Sequence, residues 1–557
     1  MKMFTFFSKK FNRRIILTYA FISFSIGSFL SQTVVAEPSI HSPLGMDLKL
    51  NAVFGDLRSN HFHTGLDFGT NGKINIPIYA IRKGFVSRIK ISPTGYGKVL
   101  YIDHPNGQTS VYAHCNKFAP KIDSFCISLQ EHLQINELDT LLQKNLLQVE
   151  FGEIIAFSGN TGNSSGPHLH FEIRNTDTEK PLNPLNHGFK LLGDSYSPIL
   201  QEIRIYALNE QGYIIPNKVF TRKILQVGTT FKIDAPIQIP DNFIASSESI
   251  GIAFRAYDKI KANNSQFGIY GAKLMVSNKE NYSFEMDTLD FSYSRYINEH
   301  IDFEYYKKNK IRFHKLFRNQ VNEFELYKGN GWIKFDKNQK LNIDIEVFDQ
   351  DGNKSEINLS FIAPKIFNPK ATNFPISTFY LPNDNINIQQ GNYSLSAPQL
   401  TILQPIKKDR FFSNLNPFYK SITIEYPQKN DETNKSYIKI DGIDHQTTCN
   451  ENKLVTNTKA LGKLSISKDE NPPVVSPLNF TNYNMNNNYL EFKIYDSETA
   501  VKNYNLYIDE KWTRVFYDKK KRKIISDTIE KNKSFNVKLI VNDLYGNATV
   551  FKSDVKP

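Results

Sequence analysis

Three short motifs occur twice in this chain of 557 residues, in the same order. Asp194-Ser-Tyr-Ser-Pro198-Ile199 is echoed by Asp469-Glu-Asn-Pro-Pro473-Val474, and Ile252-Ala-Phe-Arg-Ala-Tyr-Asp258 by Leu490-Glu-Phe-Lys-Ile-Tyr-Asp496. Val347-Phe-Asp-Gln-Asp-Gly-Asn353 returns as Val541-Asn-Asp-Leu-Tyr-Gly-Asn547. Alternating strands ended by Asp-x-x-Gly-Asn turns suit an immunoglobulin-like β-sandwich. Two copies of one such unit are therefore expected, at 194–365 and 469–557, the first lengthened by an insertion around Met286–Phe324.

Between the copies, 366–468 reads as a further β module. Tyr393–Leu403, Lys420–Tyr426 and Ser436–Ile440 are β-rich and separated by Pro, Asn and Gly. A structureless linker of that length would be unusual. The segment 37–193 also reads as short strands broken by Gly: Asp47–Phe54, Pro77–Ala80, Gly84–Ile91, Lys98–Asp103, Thr109–His114, Ile154–Ser158 and His168–Ile173. Within it, Ile127–Asn145 carries leucines near a 3.6 period and predicts an amphipathic helix, inside an insertion at about 117–150. The fold class is mainly β throughout.

Residues 1–36 read as a signal peptide. Lys2, Lys9, Lys10, Arg13 and Arg14 precede the uncharged run Ile15–Leu30, and Val34-Val35-Ala36 offers small residues for cleavage after Ala36. An uncleaved anchor is the alternative. No second long apolar run follows, so no transmembrane span is expected after cleavage. The full chain has 68 Lys+Arg against 56 Asp+Glu. Removing the five leader cations leaves 63 against 56, a diffuse +7, with no basic face or reader motif for nucleic acid. Of the three cysteines, Cys115 and Cys126 could pair in an oxidising compartment, leaving Cys449; three unpaired thiols are equally compatible.

Histidine is concentrated: eight of twelve lie between His61 and His187. Four stretches stand out there: His61-Phe-His63-Thr-Gly-Leu-Asp67, Val111-Tyr-Ala-His114, Ser158-Gly-Asn-Thr-Gly162 and Gly166-Pro-His168-Leu-His170-Phe-Glu172. His168 and His170 share one face of a strand, so one ring can bind a cation while the other handles protons. His63 and Asp67 add a nitrogen and a carboxylate, with Gly65 between them to relax the backbone. Two His and one Asp leave a tetrahedral metal one open position, as in catalytic zinc sites.

These motifs, from Gly55 to Glu172, resemble the lysostaphin/LytM-type zinc metallopeptidases, secreted peptidoglycan endopeptidases. The resemblance implies one Zn²⁺ per chain, with His63, Asp67 and His170 as ligands and His168 and His114 as catalytic residues. Zinc would lower the pKa of its water toward about 7 and polarise the scissile carbonyl. His168 would act as general base, and His114 would orient the water or bond the developing oxyanion; the sequence leaves open which histidine does which. The long insertion after His114 departs from most relatives and could wall the groove or cover it as a lid. Together with the attached β modules it resembles larger Bacteroidetes-type members, which implies the periplasm or envelope of a Gram-negative bacterium. Peptidoglycan stem peptides are the implied substrate, with envelope-protein contacts through the C-terminal modules.

Other residues carry weaker expectations. His61 is given a supporting or solvent role, and Arg58 meets either a substrate carboxylate or a surface partner. Cys115 is turned away from the site by strand alternation, and His104 and His132 are expected at the surface. Lys519-Lys-Lys-Arg-Lys523 reads as a solvated hairpin, or as a contact for anionic wall polymers. The rival to an enzyme is a non-catalytic scaffold of the same fold that activates a cell-wall amidase or binds the wall. An adhesion protein acting through its sandwiches alone leaves the histidine cluster unexplained.

Overall fold

The computed structural model describes residues 34–36, 39–191, 194–233, 235–246, 248–260, 265–320, 322–368, 387–389, 410–411, 422–427, 435–450, 453–460, 463–479, 488–530 and 533–555. The leader expected at 1–36 thus falls mostly outside them. Val34–Ala36 forms a short strand against Phe189–Leu191. The strand expected at Tyr393–Leu403 also lies outside. No helix among the described residues is long and apolar enough to cross a membrane.

The N-terminal segment is built on a nine-stranded antiparallel sheet. Its central strands run in the order Gly84–Ile91, Lys98–Asp103, Gln108–Cys115, His168–Asn175, Leu66–Gly69 and Leu50–Ala52. One face packs on a small sheet of Pro77–Tyr79, Ile154–Phe157 and Lys117–Phe118. Phe68, Tyr112, Phe171 and Phe189 fill the space between them, each fully buried. Each such side chain contributes about 1.5–3 kcal/mol by leaving water. The opposite face carries a smaller cluster, Val99, Tyr101, Val111 and Ala113, beside the histidines.

The helix does not occupy Ile127–Asn145. It runs Pro120–Leu133 and stops at Gln134, whose backbone is left-handed. Pro120 at its first turn is the start signal that the leucine spacing obscured. Leu138–Leu141 instead forms an edge strand on Arg88–Ile91, burying Leu138 and leaving Leu141 79% exposed.

Beyond 194, two-sheet sandwiches recur. In the first, Ile199–Leu208 pairs with Ser249–Lys259, over a sheet ordered Lys354–Ile362, Lys340–Phe348, Gly271–Val276, Lys279–Glu285. In the last, Val474–Pro477 pairs with Glu491–Tyr495, over Ala548–Val555, Phe535–Asp543, Val501–Ile508, Lys511–Thr513. The strand orders correspond, and each sandwich has an apolar core drawn from both sheets. Between them, Ile422–Pro427 and Ser436–Ile440 belong to two four-stranded sheets.

Candidate active site

Antiparallel register places His170 opposite both Asp67 and Ala113, so the three side chains project from one face of the sheet. His63 reaches the same point from the loop before Leu66–Gly69. Gly65 does not serve by adopting a left-handed backbone there. A Cβ on it would lie 2.3 Å from the Phe171 carbonyl oxygen, so the glycine permits close approach of the loop to the strand.

Three donor atoms converge. His63 Nε2 lies 3.0 Å from Asp67 Oδ1 and 3.1 Å from His170 Nδ1, and His170 Nδ1 lies 2.9 Å from Asp67 Oδ1. A tetrahedral zinc with bonds of about 2.0–2.2 Å spaces its ligand atoms about 3.3 Å apart, so this triangle fits such an ion with small adjustment. The other ring nitrogens are committed. His63 Nδ1 donates to the Val53 carbonyl at 2.7 Å, and His170 Nε2 donates to Glu172 Oε1 at 2.8 Å. Those bonds fix the tautomers that turn lone pairs inward.

Electrostatics match that arrangement. Burial opposes ionisation of Asp67, but His63 and the imidazoles of His168 and His170 beside it hold its carboxyl well below the usual range. Burial likewise opposes a charge on His170, while Asp67 and Glu172 raise it to about 9, so a cation arriving here displaces a proton. Burial and the neighbouring rings of His170 and His168 push His114 down to about 3, leaving it neutral.

His168 and His114 stand beside the triangle, their rings 4.8 Å apart. His168 Nδ1 faces the Gly166 carbonyl at 2.8 Å, and His114 Nδ1 faces the Thr161 carbonyl at 2.8 Å. Each Nδ1 therefore carries the proton, and each Nε2 is the free atom. That of His168 lies 3.5 Å from Asp67 Oδ1. The Gly-rich turn is thus the part that holds both rings, through Thr161, Ser164 and Gly166.

Four residues here had no assigned part in the sequence reading. Glu172 is fully buried and accepts from His170, Tyr96 at 2.5 Å, Thr64 at 2.7 Å and Arg174 at 2.6 Å. Tyr96 also stacks on His170 at 5.2 Å. The signal for Glu172 was its period-two spacing from His168 and His170. Tyr96 and Thr64 carried none. Arg58 lies 3.3 Å from Asp67 Oδ2, the carboxylate oxygen facing away from the triangle. His61 is exposed on the rim, and His132 is exposed. His104 is buried, not a surface residue, because Lys83 O and Ser110 Oγ satisfy both its nitrogens. Cys115 and Cys126 are buried free thiols, and Cys115 faces the apolar core.

The site opens into a cavity of about 520 Å³, lined by residues that include Arg58, Tyr96, Ser164 and the five site residues. Phe291 and Ser294, from the insertion in the first sandwich, complete its wall. None of the lining residues comes from 117–150. That insertion instead receives the last sandwich: Asn136 bonds Tyr504 O at 2.7 Å and Val515 N at 2.8 Å, and Arg514 bonds Gln130 at 3.1 Å.

The family model for peptidase family M23 matches residues 61–125 and 132–184. The chain is 32% identical over 111 residues to lipoprotein NlpD of Yersinia enterocolitica, covering 20% of this chain and 88% of that one. The chain belongs to peptidase family M23. The break in the M23 match, 126–131, falls inside the helix Pro120–Leu133. The M23 segment is also 32% identical over 130 residues to the DD-carboxypeptidase/endopeptidase Mpg of Neisseria meningitidis serogroup B, covering 23% of this chain and 24% of that one. It is 32% identical over 111 residues to the peptidoglycan DD-endopeptidase ShyB of Vibrio cholerae, covering 20% of each chain. The chain thus spans about a quarter of the length of the Neisseria relative and less of ShyB.

Proposed function

We propose that this protein is an exported zinc-dependent endopeptidase that hydrolyses peptide cross-links of peptidoglycan in the envelope of a Gram-negative bacterium. The observation that carries the reading is the convergence of His63 Nε2, Asp67 Oδ1 and His170 Nδ1 within 2.9–3.1 Å, beside two histidines with free Nε2 atoms. The names of Mpg and ShyB support the substrate class.

His63, Asp67 and His170 would hold one zinc, which supplies Lewis acidity to the scissile carbonyl and acidifies water. His168 accepts the proton at Nε2, its Nδ1–H being held by Gly166 O. His114, neutral and held at Nδ1 by Thr161 O, presents Nε2 to the same space as an acceptor and orients the water. Arg58, 40% exposed in its side chain, fixes Asp67 and leaves part of its guanidinium facing the cavity for a peptide carboxylate.

The test is cleavage of purified cross-linked muropeptides by the zinc-loaded protein, read by mass spectrometry with and without chelator. Chelator-sensitive cleavage is expected. Cleavage that survives chelation, or full activity in His168→Ala, overturns the mechanism. No cleavage of any muropeptide moves the reading to a wall-binding or amidase-activating scaffold.

A further inference from the structure

The three motifs that occur twice have more in common than strand pattern: each carries an aspartate, and the fold gathers the three aspartates in both copies. Asp194 precedes the first strand of its sandwich, Asp258 lies near the end of Ser249–Lys259, and Asp349 follows Lys340–Phe348. Their offered carboxylate oxygens lie within 4.8 Å of one another. Asp469, Asp496 and Asp543 occupy the corresponding places in the last sandwich, their oxygens within the same limit.

Four of the six aspartates are buried, and three carboxylate oxygens of the two triads are left unsatisfied. Asp258 and Asp349 are 4% exposed, Asp469 is 0% and Asp543 is 1%. Asp543 spends Oδ1 on the amides of Tyr545 and Asn547, and Asp496 spends Oδ1 on those of Glu498 and Thr499. Their Oδ2 atoms, and that of Asp194, are buried with no hydrogen-bond partner. Among the described residues, these three are the carboxylate oxygens in that state. An unpartnered buried carboxylate oxygen is costly unless something positive meets it. Burial first, then Asp349 and Asp194, raise Asp258 to about 8. Burial first, then the Glu498 carboxylate and the charges of Asp543 and Asp496, raise Asp469 to about 7.

We propose that each sandwich holds one calcium-class cation, through Asp194, Asp258 and Asp349 in the first copy and Asp469, Asp496 and Asp543 in the last. An all-oxygen, triply anionic donor set selects a hard cation over zinc. Three oxygens evenly spaced around one calcium lie up to about 4–4.5 Å apart, close to the limit on the triads' spacing, so small adjustments would bring each triad onto an ion. Backbone carbonyls and water complete the coordination.

The sites sit where each sandwich meets what precedes it. Gln350, next to Asp349, accepts from Asn183 at 2.7 Å, and Asp258 and Asp349 line a crevice with Phe54 and Leu185 of the peptidase segment. In the last copy, Tyr545 stacks on Tyr437 at 5.0 Å, and Tyr437 donates to the Glu498 carbonyl at 3.0 Å. Cation binding therefore stiffens both junctions.

The experiment uses the full protein with its zinc in place, stripped of calcium and then titrated with Ca²⁺ or Mg²⁺. Bound ions are counted by native mass spectrometry and unfolding is followed by calorimetry. Two calcium ions per chain at about millimolar free Ca²⁺ or below, and an upward shift of the thermal midpoint, are expected. Asp258→Asn and Asp543→Asn should each lose one calcium. In the absence of calcium each should unfold close to the wild-type temperature, because asparagine keeps the Oδ1 acceptor that binds the neighbouring amides. A lost structural hydrogen bond would instead lower that midpoint. No calcium bound, preference for magnesium, or two calcium ions retained by the double variant overturns the proposal.

Discussion

His170 offers Nδ1 to the donor triangle because Nε2 is committed to Glu172, and Glu172 can stay ionised in the interior because Arg174 lies against it. Removing this carboxylate acts twice. Glu172→Ala should weaken zinc binding about 10–100-fold, measured by competition with a chromogenic chelator. It should also cost about 3–5 kcal/mol in urea unfolding, since Arg174 is left charged and buried. His168→Ala separates binding from chemistry: zinc content should hold near one per chain while cleavage falls about 10²–10⁴-fold. His63→Ala and His170→Ala should bring zinc content close to zero. Elsewhere, His300 and His314 meet at 2.8 Å in the interior of the first sandwich. Burial, with Arg312 adding to it, pushes His314 down to about 3, and burial with His314 and Lys315 holds His300 well below its ordinary value. Between about pH 6.5 and 3 the unfolded chain binds protons that the folded one refuses, so stability rises with pH across that window. From pH 7 to 5 the loss should be about 2 kcal/mol per imidazole, read from urea midpoints.

At the scale of elements, the strand Gln108–Cys115 decides which residue meets the site. Lys98 pairs with Cys115 but Leu100 pairs with Tyr112, so two residues bulge against one. His114 sits in the bulge with φ +61°. Strict alternation from Tyr112, which faces the core, would send His114 to the core and Cys115 to the site. The bulge exchanges them. The expectation that Cys115 points away from the site was sound in outcome, but its reason was the bulge and not regular alternation. His114→Asn, which tolerates a left-handed backbone, should keep fold and zinc and lose cleavage; His114→Val should also cost about 1–3 kcal/mol. Gly162 has φ +70°, and a Cβ on it would lie 2.3 Å from the Gly97 nitrogen. Gly162→Ala should displace the Thr161 carbonyl that orients His114 and lower kcat with zinc content unchanged. Strand positions were legible because half-buried strands alternate. The helix was misplaced because leucines at 138–142 mimic a helical period while serving an edge strand.

Across the whole molecule, the first and last sandwiches both meet the N-terminal segment. The insertion expected to wall or cover the groove is a landing surface for the last sandwich, through Gln130 and Asn136. The groove is walled instead by Phe291 and Ser294 of the first sandwich. The basic hairpin Lys519–Lys523 is largely exposed, but Lys520 bonds the Asn160 and Ser164 carbonyls of the turn that holds His168 and His114. Lys520→Ala should speed amide exchange across 159–166, measured by hydrogen–deuterium exchange, while leaving zinc content intact. The sequence alone determined the donor types, their pairing across His63-x₃-Asp67 and His168-x-His170, and the existence of a repeated β unit. Those are local patterns, and strand geometry converts them directly into shared faces. The tertiary structure decided which ring nitrogen is free, which of His114 and Cys115 reaches the site, and which distant module walls it. It also showed that six aspartates scattered over 350 residues of the repeat motifs close into two triads. Such facts depend on register, bulges and packing between segments far apart in the chain, and no local pattern encodes them.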